Sequence, residues 1–126
     1  MWNDEQIREA LDEMLIEVLQ VESEDLAPNA RFFEDLGGES IDVLELTFLA
    51  EKRFGRRIDF QKMVAPDDLD MDEHRRLTPA AIEKIGEALP FIDLNDVRRD
   101  PEVESLRRLL TVENLYQYLR RRLGAA

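Results

Sequence analysis

The chain has no cysteine among its 126 residues. That excludes disulfides, thiolate metal sites and a cysteine nucleophile, so any thiol chemistry must arrive on something attached. Histidine occurs once, at His74, which leaves a single imidazole as a possible catalytic base. No apolar run approaches the roughly 18 residues needed to span a bilayer. The opening stretch MWNDEQIREAL lacks the basic start and continuous apolar core of a signal peptide. These absences lead us to expect a soluble cytoplasmic protein with no membrane insertion. Basic residues are scarce in one half only. Residues 1–51 hold 15 Asp/Glu against Arg8 and Arg31, whereas residues 52–126 hold 14 against 15 Lys/Arg. The net charge of −12 therefore sits in the front half. Such a surface repels nucleic-acid backbones and anionic membranes and attracts basic protein surfaces.

What is present is helical. The length suits one domain, residues 1–126, around one modest core, and the 44% of apolar residues fall in periodic runs. Ile7, Leu11, Met14, Leu15, Val18 and Leu19 make one face of a helix over 4–20, capped by Asn3 or Asp4. A second helix is expected from about Ser40 to Phe54, stopped by Gly55. RRIDF (56–60) is extended or begins a turn, and PDDLDMDEHRR (66–76) reads as a polar loop. Thr78 then caps a helix with Pro79 at its first position, which ends before Pro90. FIDLNDVRRDPEVESLRRLL suits one or two short helical turns broken at Pro101. Thr111 caps a last helix with Val112, Leu115, Tyr116, Leu119 and Leu123 on one side. Arg120, Arg121 and Arg122 stand where cations favour a helix C-terminus. The class is all-α, a small bundle with an elaborated, partly helical connection over 60–110.

The helix from Ser40 has two apolar faces. At about 100° per residue, Val43, Leu46, Ala50 and Phe54 form one stripe, and Ile41, Leu44 and Phe48 form another on the opposite side. A surface helix needs only the first. The second is either covered by the 60–110 segment or left exposed, with Asp42 and Glu45 at its edges.

Before that helix runs EDLGGES, and its serine admits several readings. As a hydrolytic nucleophile, Ser40 lacks the glycine two positions later and a convincing preceding strand, and its only candidate base is His74. As a phosphate-cradling loop, LGGES has no following lysine and carries acids that repel phosphate. A calcium loop from Asp68, Asp70 and Asp72 fails on position. Counting from Asp68 puts Glu73 at the required glycine and Pro79 at the closing glutamate; counting from Asp70 closes on Ala81. A plain helix cap suits a serine at a helix start.

DLGGESIDVLEL resembles the attachment motif of acyl carrier proteins, through Asp35, Leu36, Gly37, Ser40, Asp42, Glu45 and Leu46. LAPNARFFEDLG before it and LAEKRFGRRI after it are similar to the family's flanking segments. So are the first helix and the TVENLYQYL start of the last, which covers residues 3–60 and 111–123. Glu39 and Ile41 stand where the family has Asp and Leu, and the 60–110 segment is far longer than the family's usual link. The resemblance implies an acyl-carrier-like four-helix bundle, a monomer and not an enzyme, with 4′-phosphopantetheine joined to Ser40 by a phosphodiester. Asp35, Leu36, Gly37 and Gly38 would form the motif loop. A phosphopantetheinyl transferase, and then acyl-transferring or synthase enzymes of fatty-acid, lipid or polyketide-type biosynthesis, would bring basic docking surfaces. Glu39, Ile41, Asp42, Leu44, Glu45 and Phe48 would meet them, and Val43, Leu46 and Ala50 would line an acyl pocket. The glycine pair is also similar to peptidyl carriers, so an aminoacyl cargo is the alternative, and an unmodified acidic interaction module is another.

Overall fold

Asn3 starts the first helix from both sides. Its side chain accepts from the Gln6 backbone N–H at 2.8 Å, and the Gln6 side chain accepts from the Asn3 N–H at 3.0 Å. This reciprocal cap satisfies donors that a helix start leaves open, and fixes Asn3 as the N-cap of α1, Asp4–Leu19. The computed structural model describes residues 1–64 and 69–124. Among the described residues six more α-helices follow: α2 Ser40–Phe54, α3 Gln61–Val64, α4 Pro79–Ala88, α5 Asn95–Arg99, α6 Val103–Arg107 and α7 Val112–Arg122. A short 3-10 turn, Ser23–Asp25, interrupts the long connection into α2.

The apolar periodicity places the core. Ile7, Leu11, Met14 and Leu15 of α1 are buried with Val43, Leu46 and Ala50 of α2 and Leu115 and Leu119 of α7. α1 packs against both α2 and α7. Arg53 with Glu13 (2.9 Å) and Arg8 with Glu113 (3.0 Å) pair across the same two seams. These pairs are largely exposed, so the apolar seam between them carries most of the stability.

The stretch 56–60 is irregular and ends in the turn that opens α3, and Ile58 and Phe60 are fully buried. Two α2 side chains receive this exit segment. Glu51 Oε2 accepts from the Ile58 N–H and buried Thr47 Oγ1 from the Phe60 N–H, both at 3.4 Å. α3 then links α2 to α6, and α5 touches both α4 and α6.

The segment 60–110 is thus partly helical among its described residues, with its own buried residues. Thr78 caps α4 by accepting from the Ala81 N–H at 3.2 Å, with Pro79 at the first helical position. Ile82, Ile85 and Leu89 are buried and join the common core. α5 and α6 lie on either side of Pro101, whose carbonyl accepts from the Leu77 N–H at 2.7 Å.

The arginines at the end of α7 reach away from it. Arg120 Nε meets Asp4 Oδ1 at 2.9 Å, Arg122 donates to the Arg57 carbonyl at 2.8 Å, and Arg121 stands over Phe91. They join α7 to three other parts of the chain as well as complementing its C-terminus.

Candidate functional site

Ser40 is the first residue of α2, and its side chain is exposed. It is not the cap. Glu39 holds the extended conformation of an N-cap, at φ −121° and ψ 169°, and the chain turns helical only at Ser40. Asp42, one turn in, accepts from the Glu39 N–H at 2.8 Å. The start of α2 is therefore secured by Glu39 and Asp42, which leaves the serine hydroxyl out of the capping arrangement.

The loop before it is tightly ordered. Asp35 Oδ2 accepts from the Arg31 N–H at 2.8 Å, and the Arg31 carbonyl accepts from the N–H groups of Asp35 and Leu36 at 3.0 Å. Leu36 is buried, so the turn is anchored from below. Gly37 takes φ +70°, the left-handed conformation that favours glycine. Gly38 is required for a different reason. Its N–H donates to the Phe32 carbonyl at 2.8 Å, and a Cβ there would run into the Phe32 ring and stand 2.8 Å from that carbonyl. The demand for glycine at 38 comes from buried Phe32 inside the protein.

The same loop is stitched to the start of α7. The Phe32 N–H donates to the Leu110 carbonyl (2.8 Å), the Val112 N–H to Ala30 (3.0 Å) and the Glu113 N–H to Pro28 (2.9 Å). Two open donors of α7 thus find partners in the loop that leads to the serine.

The second stripe of α2 is left open. Ile41, Leu44 and Phe48 are 63%, 45% and 70% exposed. Glu45 is exposed beside them and Asp42 is half-buried. Val43, Leu46 and Ala50 face the other way, into the core.

The hydroxyl partner of Ser40 is Arg107 at the end of α6, whose Nη2 donates to Ser40 Oγ at 3.0 Å. A guanidinium stays protonated and cannot take the serine proton, so this contact does not supply a general base. His74 instead donates its backbone N–H to Asp72 and turns an exposed ring towards Glu73. The adjacent Arg108 reaches the motif loop too, meeting Glu34 Oε1 at 3.0 Å, while Arg31 meets Glu34 Oε2 at 2.8 Å. The hydrogen bonds from Arg31 and then Arg108 hold the Glu34 carboxyl below its ordinary range. Sequence reasoning missed Arg107 and Arg108, because RRLL carries no sign of where α6 will dock.

The acids of the candidate calcium loop have other work. Asp72 Oδ1 accepts from the N–H groups of His74 and Arg76, and Asp70 Oδ2 accepts from the Thr78 hydroxyl. The hydrogen bonds from Arg76 and His74, the former the larger effect, lower the Asp72 pKa. Asp68, from which the first calcium count begins, lies outside the described residues. Among the described residues no cluster of acids or imidazole could hold a metal ion, and no helix is long and apolar enough to cross a membrane.

A family model described as a phosphopantetheine attachment site matches residues 9–70. The acyl carrier protein of Zymomonas mobilis subsp. mobilis is 33% identical over 88 residues, 68% of this chain and 88% of that protein. The acyl carrier protein of Bradyrhizobium sp. is 32% identical over 90 residues, 71% of this chain and 94% of that protein. The acyl carrier protein of Nitratidesulfovibrio vulgaris is 38% identical over 53 residues, 42% of this chain and 70% of that protein. No solved structure matches the chain.

Proposed function

The chain belongs to the acyl carrier protein family, and from that premise we propose that Ser40 is where its covalent 4′-phosphopantetheine is joined. Membership makes the protein a carrier with that group; the residue is our assignment. One observation carries it: an exposed serine hydroxyl, outside the capping bonds, at the start of the helix that presents the open apolar strip. The surroundings fit the group, because the oxygen that would bear a phosphodiester is already touched by a cationic donor. Attachment forms the Ser40 Oγ–phosphorus bond, breaks the phosphoanhydride of coenzyme A and releases adenosine 3′,5′-bisphosphate. The hydroxyl proton passes to a base on the transferase.

The group supplies a thiol that holds an acyl chain as a thioester, in a protein with no cysteine of its own. This chain's residues present it and catalyse nothing themselves. Ile41, Leu44 and Phe48 give partner enzymes an apolar centre, and Glu39, Asp42 and Glu45 steer their basic surfaces to it. Val43, Leu46 and Ala50 are close-packed in the core, on the inner face of the helix that starts at Ser40. They would line an acyl chain only where the packing parts to admit it. We read the carrier as a cytoplasmic monomer serving acyl-transferring or synthase enzymes of fatty-acid, lipid or polyketide-type biosynthesis. The glycine pair does not favour an aminoacyl cargo, since the packing of Phe32 accounts for Gly38.

The test is intact mass after incubation with coenzyme A, magnesium and a broad-specificity phosphopantetheinyl transferase. The wild type gains one phosphopantetheine and Ser40→Ala gains none. A folded wild type left unmodified by a transferase active on another carrier would refute the assignment.

A further inference from the structure

Arg107 has more donors than acceptors around it. One of its five N–H groups meets the neutral hydroxyl oxygen of Ser40, and its guanidinium carbon stands 4.9 Å from the centroid of the Phe33 ring. Among the described residues it makes no ion pair. Its neighbours differ. Arg31 and Arg108 both pair with the single carboxylate of Glu34, which offsets one of their two charges. Of these three cations around the serine loop, the one facing Ser40 is the one that makes no ion pair among the described residues.

We propose that Arg107 is the phosphate-holding residue of the loaded carrier, turning its N–H groups from the serine hydroxyl to the non-bridging oxygens of the phosphodiester. This rests on the reading that Ser40 bears the arm. Attachment puts a single negative charge on the non-bridging oxygens, two bonds beyond the oxygen that Arg107 already touches. The acceptor then changes from a neutral hydroxyl to an anion, and hydrogen bonds between charged groups are shorter and about twice as strong as neutral ones. A planar guanidinium suits two oxygens at once, and the Phe33 face beneath it limits how that plane can turn. Arg107 is a positioning residue: it fixes the phosphate end of the arm while the thiol end stays free to move between enzymes. It also offsets the acids at Glu39 and Asp42, which would repel the new charge.

The test uses the full chain as wild type, Arg107→Gln and Arg107→Lys, each loaded and checked by intact mass. Phosphorus NMR then reads the phosphodiester directly. Its resonance should differ between wild type and Arg107→Gln and lie between the two in Arg107→Lys. The wild-type resonance should also move towards that of Arg107→Gln as salt rises. The Arg107 Nε–H signal, assigned by its loss in Arg107→Gln, should shift when the wild type is loaded. That measurement decides the matter even where Arg107→Gln takes no arm. A merely structural role would lower the melting point of unmodified Arg107→Gln and leave the phosphorus resonance where it was. Identical phosphorus signals in all three proteins, or an Nε–H signal indifferent to loading, would overturn the inference while Ser40 stands. A wild type that gains no mass would remove the premise, and the inference with it.

Discussion

The α1–α2–α7 layer and the α3–α6 layer are built by different rules. The first uses helices of 16, 15 and 11 residues whose apolar stripes meet along their length. The second uses helices of 4, 10, 5 and 5 residues, too short to be stable by themselves. Besides the core contacts of Ile82, Ile85 and Leu89 it is pinned at single points: Thr78 on Ala81, Leu77 on Pro101, and the Ser105 hydroxyl on the Asp100 carbonyl at 2.7 Å. The difference also divides the labour. The long-helix layer carries the serine, the acids and the open strip, and the short-helix layer carries the arginines that reach them. The family model ends at residue 70, before α4, so that second contribution lies outside what the family pattern describes.

The strongest way to break this comparison is to delete residues 66–100. If the second layer completes the core through Ile82, Ile85 and Leu89, the remainder loses its cooperative melt or aggregates, seen by circular dichroism and light scattering. A variant that keeps its helical signal and a sharp transition would make the second layer an ornament. Next, the two faces of α2 should separate cleanly. Leu46→Ala opens a cavity in a fully buried site and should cost about 2–5 kcal/mol in denaturant unfolding. Phe48→Ala, at an exposed site, should stay within about 0.5 kcal/mol, yet weaken pull-down by a carrier-dependent enzyme. Smaller still are the caps. Thr111→Ala and Thr78→Ala should each cost about 1 kcal/mol. If the layers unfold together, both shift one calorimetric transition; two transitions would show separate units.

The smallest effect concerns the tie between the layers. The Glu34 carboxyl titrates lower in the folded protein than unfolded, so it contributes stability above its unfolded pKa. That contribution is lost as pH falls through the lowered folded value. Wild type should therefore melt slightly above Glu34→Gln at neutral pH, and the gap should close below the ordinary glutamate range. A gap that is constant with pH would assign the effect to packing.

How much of this was legible in the sequence follows the same division. The long helices declare themselves, because a 3.6-residue period repeated over several turns leaves few alternatives. Thr78, Thr111 and the two turns around Pro101 were legible too, through capping and proline chemistry. Ile58, Phe60 and Met63 were not, since two buried residues in an irregular exit and one in a four-residue helix carry no period. The exposure of Ile41, Leu44 and Phe48 could not be read either: periodicity shows that a face is apolar, while its covering depends on where α3–α6 dock. Arg107 was hidden for the same reason, 67 positions away from the hydroxyl it meets.

The stitching of the serine loop to α7 has a consequence for the order in which the molecule can be finished. Glu113, whose N–H meets the Pro28 carbonyl, comes 73 positions after Ser40. On the ribosome the serine emerges long before the residues that hold its loop in place. A nascent chain that has not yet released residue 113 displays Ser40 on an unclosed loop, without the neighbouring Arg107 docked. A transferase that required the closed arrangement would act only after α7 has been made, so the timing of any loading during synthesis would report which arrangement it reads.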